Sequence, residues 1–560
     1  MADFSMNFAD VTEISLNGQT VTKIGDGVNT LWEHRTPIGS PLRVVNNVAG
    51  SAITVTLTRN GSPDDIDIEY STDNVNWNTW TETNGVRSMS VAQNGSLYLR
   101  GNNPNGLNPT ESQTNYYSFT ADKKYAMAGD IRSLISRYEI EEIPDGAFMR
   151  FFFNSTTLDN VSYVGLKATR LGKSAYRYLF NGCTGLRFSP HILPAATASE
   201  YAYNAMFNGC SSLGVMPIIS ATSFGNYACM NMFSGCSALT KQWATATATD
   251  SAKTNIAFTI ASSDAGSFNC MFQVCTSLVN AGGITATQTT DWGNACFNAA
   301  FYGCTALASA PSITFGSFAS GTAHCQNMFY NCTSLVSTPN IHLNATTVYQ
   351  QTYKSMYRGC TKLTTAPEIK ATTLYANANN GSCAAMFYGC TALTYIKVNF
   401  TDWNSGNYTN SWTYNCNSYG RFDCPTSLPQ TKNASGNTTN PHYIPYNFSV
   451  NANPKVTTAT VSKTGGGTNS AAYYSWATVK FSTSGMSGVT YYINYGTSSP
   501  NNPSTTSYNR KLDGTGSNSE ASSELRNSGS VSAVTLYIKV LSVKEGLANS
   551  DILSTSVKTG

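Results

Sequence analysis

Charge is what this chain is short of. Lys, Arg, Asp and Glu supply 12% of its 560 residues, about half of the ~25% usual for globular proteins. The formal net charge is only +3 and Lys and Arg are nowhere clustered. No basic face is offered to phosphate, so a nucleic-acid partner is not expected. Histidine is scarce too: His34, His191, His324, His342 and His442 lie far apart in the sequence, without the spacing of a zinc site. No apolar run approaches the ~20 residues of a membrane-crossing helix, and a membrane partner is not expected. Coiled-coil heptads that would enforce a fibre are missing. So are a P-loop, a dinucleotide fingerprint, GxSxG and HExxH. The pair Glu141 and Glu142 is adjacent along the chain and does not suggest two acids facing across a cleft. The expectation is a non-enzyme with no cofactor and no bound metal. Met1 to Asn7 has neither a basic n-region nor an apolar h-region, so we expect no secretory leader, a reducing compartment, and cysteines present as thiols.

What the chain does have is apolar content of 41%, enough for real cores, and roughly a third of its positions in Ser, Thr, Asn and Gln. It also has fifteen cysteines, all between Cys183 and Cys424. Eight of them head one recurring phrase, as in Phe180-Asn-Gly-Cys183-Thr-Gly-Leu186 and Phe387-Tyr-Gly-Cys390-Thr-Ala-Leu393. The others are centred on Cys210, Cys236, Cys275, Cys304, Cys332 and Cys360, with successive steps of 27, 26, 39, 29, 28, 28 and 30 residues. A period near 28 predicts a solenoid, in which each unit buries its apolar face only by stacking on its neighbours.

Within each unit, Cys383, Phe387 and Cys390 fall at i, i+4 and i+7, which predicts a short helix. The glycine before the repeat cysteine suits a left-handed position ending that helix. Proline follows at Pro190, Pro217, Pro311, Pro339 and Pro367, with Ile two residues on. Proline donates no ladder hydrogen bond and so should mark the entry to a short strand. Eight coils at ~4.8 Å predict a rod of roughly 40 Å. A second cysteine precedes several phrases: Cys229, Cys325 and Cys383 by seven residues, Cys296 by eight and Cys270 by five. At minus seven, Tyr176, Tyr203 and Tyr353 occupy the slot in other coils. Exchange of Cys with Tyr is senseless for a metal ligand and natural for packing, so a buried thiol column is expected rather than disulfides or metal.

The phrase resembles the BspA-like family of leucine-rich repeat proteins, known from gut Bacteroidetes surfaces and from phages that infect them. The likeness is closest from Met386 to Leu393 and from Leu363 to Leu374. Tyr98 to Asn103 and Ala128 to Ile135 look like the family's pre-repeat segments, and Phe422 to Pro429 with Ile444-Pro445 like its closing cap. The resemblance covers roughly residues 40 to 448 and implies architecture more than function.

The expected fold is therefore multidomain and mainly β with short helices, a BspA-like leucine-rich repeat solenoid flanked by Ig-like β-sandwiches. The divisions are residues 1–37, N-terminal anchor strands; 38–125, an Ig-like sandwich; 126–448, the solenoid with caps; and 449–560, a second Ig-like sandwich. The sandwiches are inferred from alternation such as Ile53-Thr-Val55-Thr-Leu57 and Ile66-Asp-Ile68. The first 37 residues read as two or three short strands about an Asn17-Gly18 turn. They are too few for a core of their own and similar to a module of phage structural proteins. Ile14, Leu16, Val21, Ile24, Leu31 and Trp32 are candidate virion-docking residues; the other reading is strands completing the next sandwich.

Candidate surface-recognition residues are Trp243, in the 241–266 insertion of the long coil, and Trp403, Tyr408, Trp412 and Tyr414. Their aromatic rings could stack on sugar, or cap the last coil's core. The insertion could bind a ligand or be a tolerated excursion. The function expected first is a bacteriophage virion structural protein, a fibre, appendage or decoration subunit. It would contact other virion proteins through its N-terminus, form a homo-oligomer, and reach a host surface glycan or protein. The alternative is a bacterial cell-surface adhesin of the same family.

Overall fold

The computed structural model describes residues 36–247, 251–286, 292–315, 322–338, 341–343, 347–374, 381–403, 408–417, 419–433, 442–446, 448–453, 460–469, 474–482, 489–498, 500–505, 507–515, 521–528, 534–543 and 553–559, with short strands between 14 and 33 given by their backbone pairing alone. The architecture is mainly β with almost no helix; among the described residues the one helical element is a single 3-10 turn, Ile131–Leu134. Its centre is a β-solenoid of about ten turns.

The helix predicted in each coil is not formed. Instead the chain runs as a ribbon of consecutive tight turns whose peptide N–H groups alternate between two destinations. In one coil Arg177, Leu179, Asn181 and Cys183 donate back to the carbonyls of Ser174, Tyr176, Tyr178 and Phe180 at 3.1–3.2 Å. The residues between them, Tyr176, Tyr178, Phe180 and Gly182, donate to Ala202, Asn204, Met206 and Asn208 of the next coil at 2.8–3.0 Å. The same holds where the helical spacing is clearest. Phe387 N–H, which a helix would send to Cys383, goes to Trp412 O of the next coil at 2.7 Å. The sequence pattern misleads because Ala175, Tyr176, Leu179, Phe180 and Cys183 are all buried, a spacing that a helix face shares.

The ribbon requires a left-handed residue at every fourth position: Ser174, Tyr178 and Gly182 have φ of 56°, 57° and 74°. The last is the slot before the repeat cysteine. Glycine adopts it at Gly209, Gly235, Gly303, Gly359 and Gly389, and Asn at Asn154, Asn331 and Asn415. Both residue types tolerate this region. Val274, at φ 59°, is the β-branched exception.

Two coils lie outside the eight phrases. The first places Ser155 where the cysteine belongs, with Asn154 N–H bonded to Asn181 O at 2.8 Å and Leu158 buried. The last ends at Cys416, and Gly389 N–H reaches Tyr414 O at 2.8 Å. On the other faces of the coils, short parallel strands pair, among them Ile192–Leu193 with Ile218–Ile219 and Ala257–Ile260 with Gly283–Ala286. Pro190, Pro217 and Pro311 stand at the entry to such strands; Pro339 lies outside the described residues.

Before the solenoid, two antiparallel sheets share a core. One contains Tyr116–Ala121, Ile53–Asn60 and Val86–Val91; the other contains Leu42–Val45, Ser96–Gly101, Ile68–Ser71 and Asn78–Thr79. Ile53, Val55 and Leu57 are buried while Thr54 is exposed, the alternation of a sheet wet on one side. The boundary expected at 125/126 falls at a strand shared by both units. Tyr125–Asp130 pairs antiparallel with Leu42–Val45 and parallel with Leu158–Gly165 of the first coil. One continuous core therefore runs through both. Residues 460–559 form two further antiparallel sheets of three and four strands with a separate core, including Phe481, Tyr491, Ile493 and Val540.

Because Val274 is 43% exposed, its side chain contributes little burial and its left-handed backbone costs about 1–2 kcal/mol. Val274→Gly should raise stability by about 1 kcal/mol, read as a higher urea midpoint at unchanged slope.

Candidate functional site

The cysteines are placed by the ribbon. All fifteen are free, thirteen of them buried and two, Cys270 and Cys416, half-buried. Nine form a column in which each thiol donates to the carbonyl of the aromatic residue in the preceding coil, from Cys183 to Phe152 O through Cys416 to Phe387 O, at 2.9–3.1 Å. Phe180 O, for example, accepts from Cys183 N–H at 3.1 Å and from the Cys210 thiol at 3.0 Å. Both of its lone pairs are thus used in a site closed to water. In the first coil Ser155 takes the thiol's place, its hydroxyl 2.7 Å from that of Tyr125.

Beside the thiols runs an aromatic column, Phe152, Phe180, Phe207, Phe233, Phe272, Phe301, Phe329, Tyr357 and Phe387, with centroids 5.3–5.8 Å apart and rings within 15° of parallel. The slot at minus seven makes a second column of mixed type. Phe148, Tyr176 and Tyr203 stack at 5.8 and 6.1 Å, Phe268 and Phe297 stack at 5.3 Å, and Cys229, Cys325 and Cys383 are buried in the same slot.

The predicted recognition residues are placed as follows. Trp412 closes the aromatic column, tilted 54° on Phe387, fully buried, with its indole N–H donating to Tyr443 O at 2.9 Å. Trp403 is buried against it at 5.7 Å and donates to Pro429 O at 2.6 Å. Tyr408 is half-buried and packs against the same core. Tyr414 is half-buried with one ring face on Tyr388 at 4.6 Å. Tyr388 in turn carries the Arg358 guanidinium at 4.1 Å. The indoles of Trp403 and Trp412 thus offer no open face to a sugar. Of the docking residues, Ile14–Leu16 pairs with Gln19–Val21, with Ile14 opposite Val21. Lys23–Gly25 pairs with Thr30–Glu33, with Ile24 opposite Trp32. The strands thus number four, in two hairpins. The side chains of Ile14, Leu16, Val21, Ile24, Leu31 and Trp32, and the Asn17-Gly18 turn, lie outside the described residues.

Trp243 leads to a feature the sequence did not suggest. Its strand, Lys241–Trp243, pairs parallel with Val215–Met216 and antiparallel with Lys253–Thr254, so the insertion opens as a hairpin. The indole is buried; it donates to Ser189 O at 3.2 Å and lies flat on the His191 ring, 4.0 Å between centroids. His191 Nδ1 in turn sits 3.2 Å from Thr245 O. The insertion is thereby folded onto the neighbouring coils, and Ala246 becomes part of the wall of a cleft of about 450 Å³ at the junction between the first two-sheet unit and the solenoid.

Arg43 and Lys167 face this cleft together with Asp130. The Asp130 carboxylate is buried and held by Arg132, Nη2 to Oδ2 at 2.7 Å and Nε to Oδ1 at 3.1 Å. Lys167 Nζ reaches the same carboxylate from 3.6 Å. Arg43 has no ion pair among the described residues and donates only to Tyr98 Oη at 3.1 Å. Two cations, Arg132 and Lys167, therefore meet one carboxylate while Arg43 lines the same cleft, and residues 43, 130 and 167 are too far apart in sequence to be joined by any motif.

No protein-family model, curated protein or solved structure matches the chain.

Burial pushes the column thiols up, to about 12 at Cys304 and Cys360, from an ordinary value near 9. The native thiols should therefore react negligibly with an aromatic disulfide reagent at pH 8, Cys270 excepted, and all fifteen should react once the chain unfolds. Because these pKa values are raised in the folded state, stability is fully present below the unfolded thiol pKa near 9 and falls as pH rises from there towards 12; urea midpoints against pH check the sign. Trp412→Ala should cost about 3–5 kcal/mol, seen as a lowered unfolding midpoint, since the ring plugs the column's end.

Proposed function

We propose that the chain is a bacteriophage virion structural protein, a fibre, appendage or decoration subunit of the BspA-like repeat type. Its flanking sheet units are taken as Ig-like, and no catalytic role is assigned to it. The N-terminus docks on other virion proteins during assembly in the host cytoplasm. The solenoid projects outward to a host surface glycan or protein, and the subunit works as a homo-oligomer.

One observation carries the docking half of this reading. The two N-terminal hairpins pair internally and with no other described strand, leaving open edges in a segment too small to hold a core. A partner that completes those edges would complete the fold, which is what an anchor needs. The weakly charged, amide- and hydroxyl-rich exterior suits a projecting body that avoids non-specific attachment. A rod of stacked coils supplies reach and stiffness because every coil is bonded to the next.

The test is composition of purified particles by mass spectrometry, with and without residues 1–35. The intact chain should be present in particles and the truncated chain absent from them, while both remain folded. Particles devoid of the intact chain would sink the proposal. Recovery in a bacterial cell-envelope fraction instead would establish the adhesin.

A further inference from the structure

The cleft at the junction combines three properties. It is concave, with a volume of about 450 Å³, within the ~300–1,000 Å³ usual for small-ligand sites. Its walls come from separate stretches of chain: the two-sheet unit, the first coil, the second coil, and the insertion held in place by Trp243 on His191. Its charge is unbalanced, because Asp130 is already satisfied by Arg132 while Arg43 and Lys167 also face the space. Arg43 lacks a carboxylate partner among the described residues, and Lys167, with its side chain 58% exposed, meets only the carboxylate that Arg132 has claimed.

The remaining lining decides what kind of anion fits. Ile192 and Pro194 are half-buried and border the cleft. Tyr163 borders it too, 54% exposed, and stacks on no described ring. The columns of the coil faces differ in this respect, since there each ring face is covered by the ring of the next coil. A bare phosphate or sulfate would use the two cations and leave the apolar wall and the tyrosine face uncovered. A ligand with one carboxylate, a C–H face and several hydroxyls uses all of them. Arg gives the carboxylate paired donors, Lys adds a point charge, and the ring and the aliphatic wall take the sugar's C–H face.

We infer that this cleft binds an acidic monosaccharide unit, a uronic-acid or similar carboxylated sugar, with Arg43 and Lys167 holding the carboxylate and Tyr163 the ring. This deepens the proposed host-surface role by naming the ligand class and rests on that reading for its biological meaning. The insertion then acquires a purpose: by seating Trp243 on His191 it carries Ala246 to the cleft's edge and closes one wall.

Titration of the full chain with sodium glucuronate, followed by calorimetry or ligand-detected NMR, tests the inference, with glucose and inorganic phosphate as parallel probes. Saturable glucuronate binding that weakens at least tenfold in Arg43→Ala and in Lys167→Ala, and that falls as salt rises, is the expected result. Glucose should show no saturation, and phosphate should bind more weakly than glucuronate. Tyr163→Ala should weaken glucuronate and leave phosphate unchanged. Arg43 and Lys167 are both partly exposed, so unaltered unfolding midpoints will show that the variants are folded. Glucuronate binding equal to that of glucose, equal affinity for phosphate, indifference to both cation variants, or no saturation at all would each overturn the inference. Particle incorporation is scored separately, so failure here leaves the virion reading standing, and failure there leaves the sugar site intact.

Discussion

The alternation of peptide hydrogen bonds governs this molecule. In each turn ribbon half of the N–H groups close a local turn and half reach the next coil, as Cys183 to Phe180 and Phe180 to Met206 illustrate. A helix would satisfy itself and owe nothing to a neighbour. A ribbon of this kind leaves every second donor orphaned unless another coil lies against it, and an orphaned buried amide costs about 1–3 kcal/mol. Stacking is therefore obligatory. It also fixes the register, because the bonded neighbours place equivalent residues of successive coils over one another.

Register explains the composition of the interior. Ring centroids 5.3–5.8 Å apart allow offset stacking, which contributes about 0.5–1.5 kcal/mol per pair beyond burial. The eight stacked pairs offset part of the strain at left-handed residues such as Tyr178 and Ala205. The carbonyl of each column aromatic keeps a second lone pair facing the next coil, and a small side chain with a weak donor fills that gap. Cysteine meets the requirement at modest desolvation cost, and Ser155 meets it in the first coil, where Tyr125 supplies a hydroxyl partner. The column positions exclude ionised groups, and the buried charges elsewhere are tied down: Arg87 to Glu82, Arg132 to Asp130, Asp423 to Arg421.

The solenoid was legible because its repeat is spelled in residue identity. Cys and Leu recur at fixed offsets, and so the stacking, the left-handed glycine and the buried thiols could be read directly. The backbone type was not legible. Pairs of apolar residues four apart describe a helix face and a turn ribbon equally well, and only the destination of an N–H such as that of Phe387 separates them. The end coils are not legible in the sequence because Ser155 replaces the marker cysteine in the first and the leucine position after Cys416 holds Tyr419 in the last. The shared strand Tyr125–Asp130 was hidden for another reason: one stretch pairs antiparallel on one side and parallel on the other, and local alternation cannot report two partners. Trp403 and Trp412 were visible as an aromatic cluster, but whether such rings face sugar or core depends on contacts with Pro429 and Tyr443.

The long coil shows how a repeat protein can acquire a site without disturbing its stack. The hydrogen-bonded ribbon tolerates no extra residue, since one more would shift every later donor off its acceptor. Cys275 still bonds Phe233 O at 3.1 Å across the 39-residue step, so the added length has been expelled into the hairpin that starts at Lys241–Trp243. Expelled chain must find its own contacts, and the nearest apolar surface is the flank of the preceding coils, where Trp243 meets His191 and Ser189 O. Folding back in that direction carries the hairpin towards the place where the stack meets the first two-sheet unit. A straight stack of identical coils has no concavity; the junction with the first two-sheet unit creates one. The cleft thus follows from the rigidity of the repeat, which sends variation outward and lets it settle only where the regularity ends.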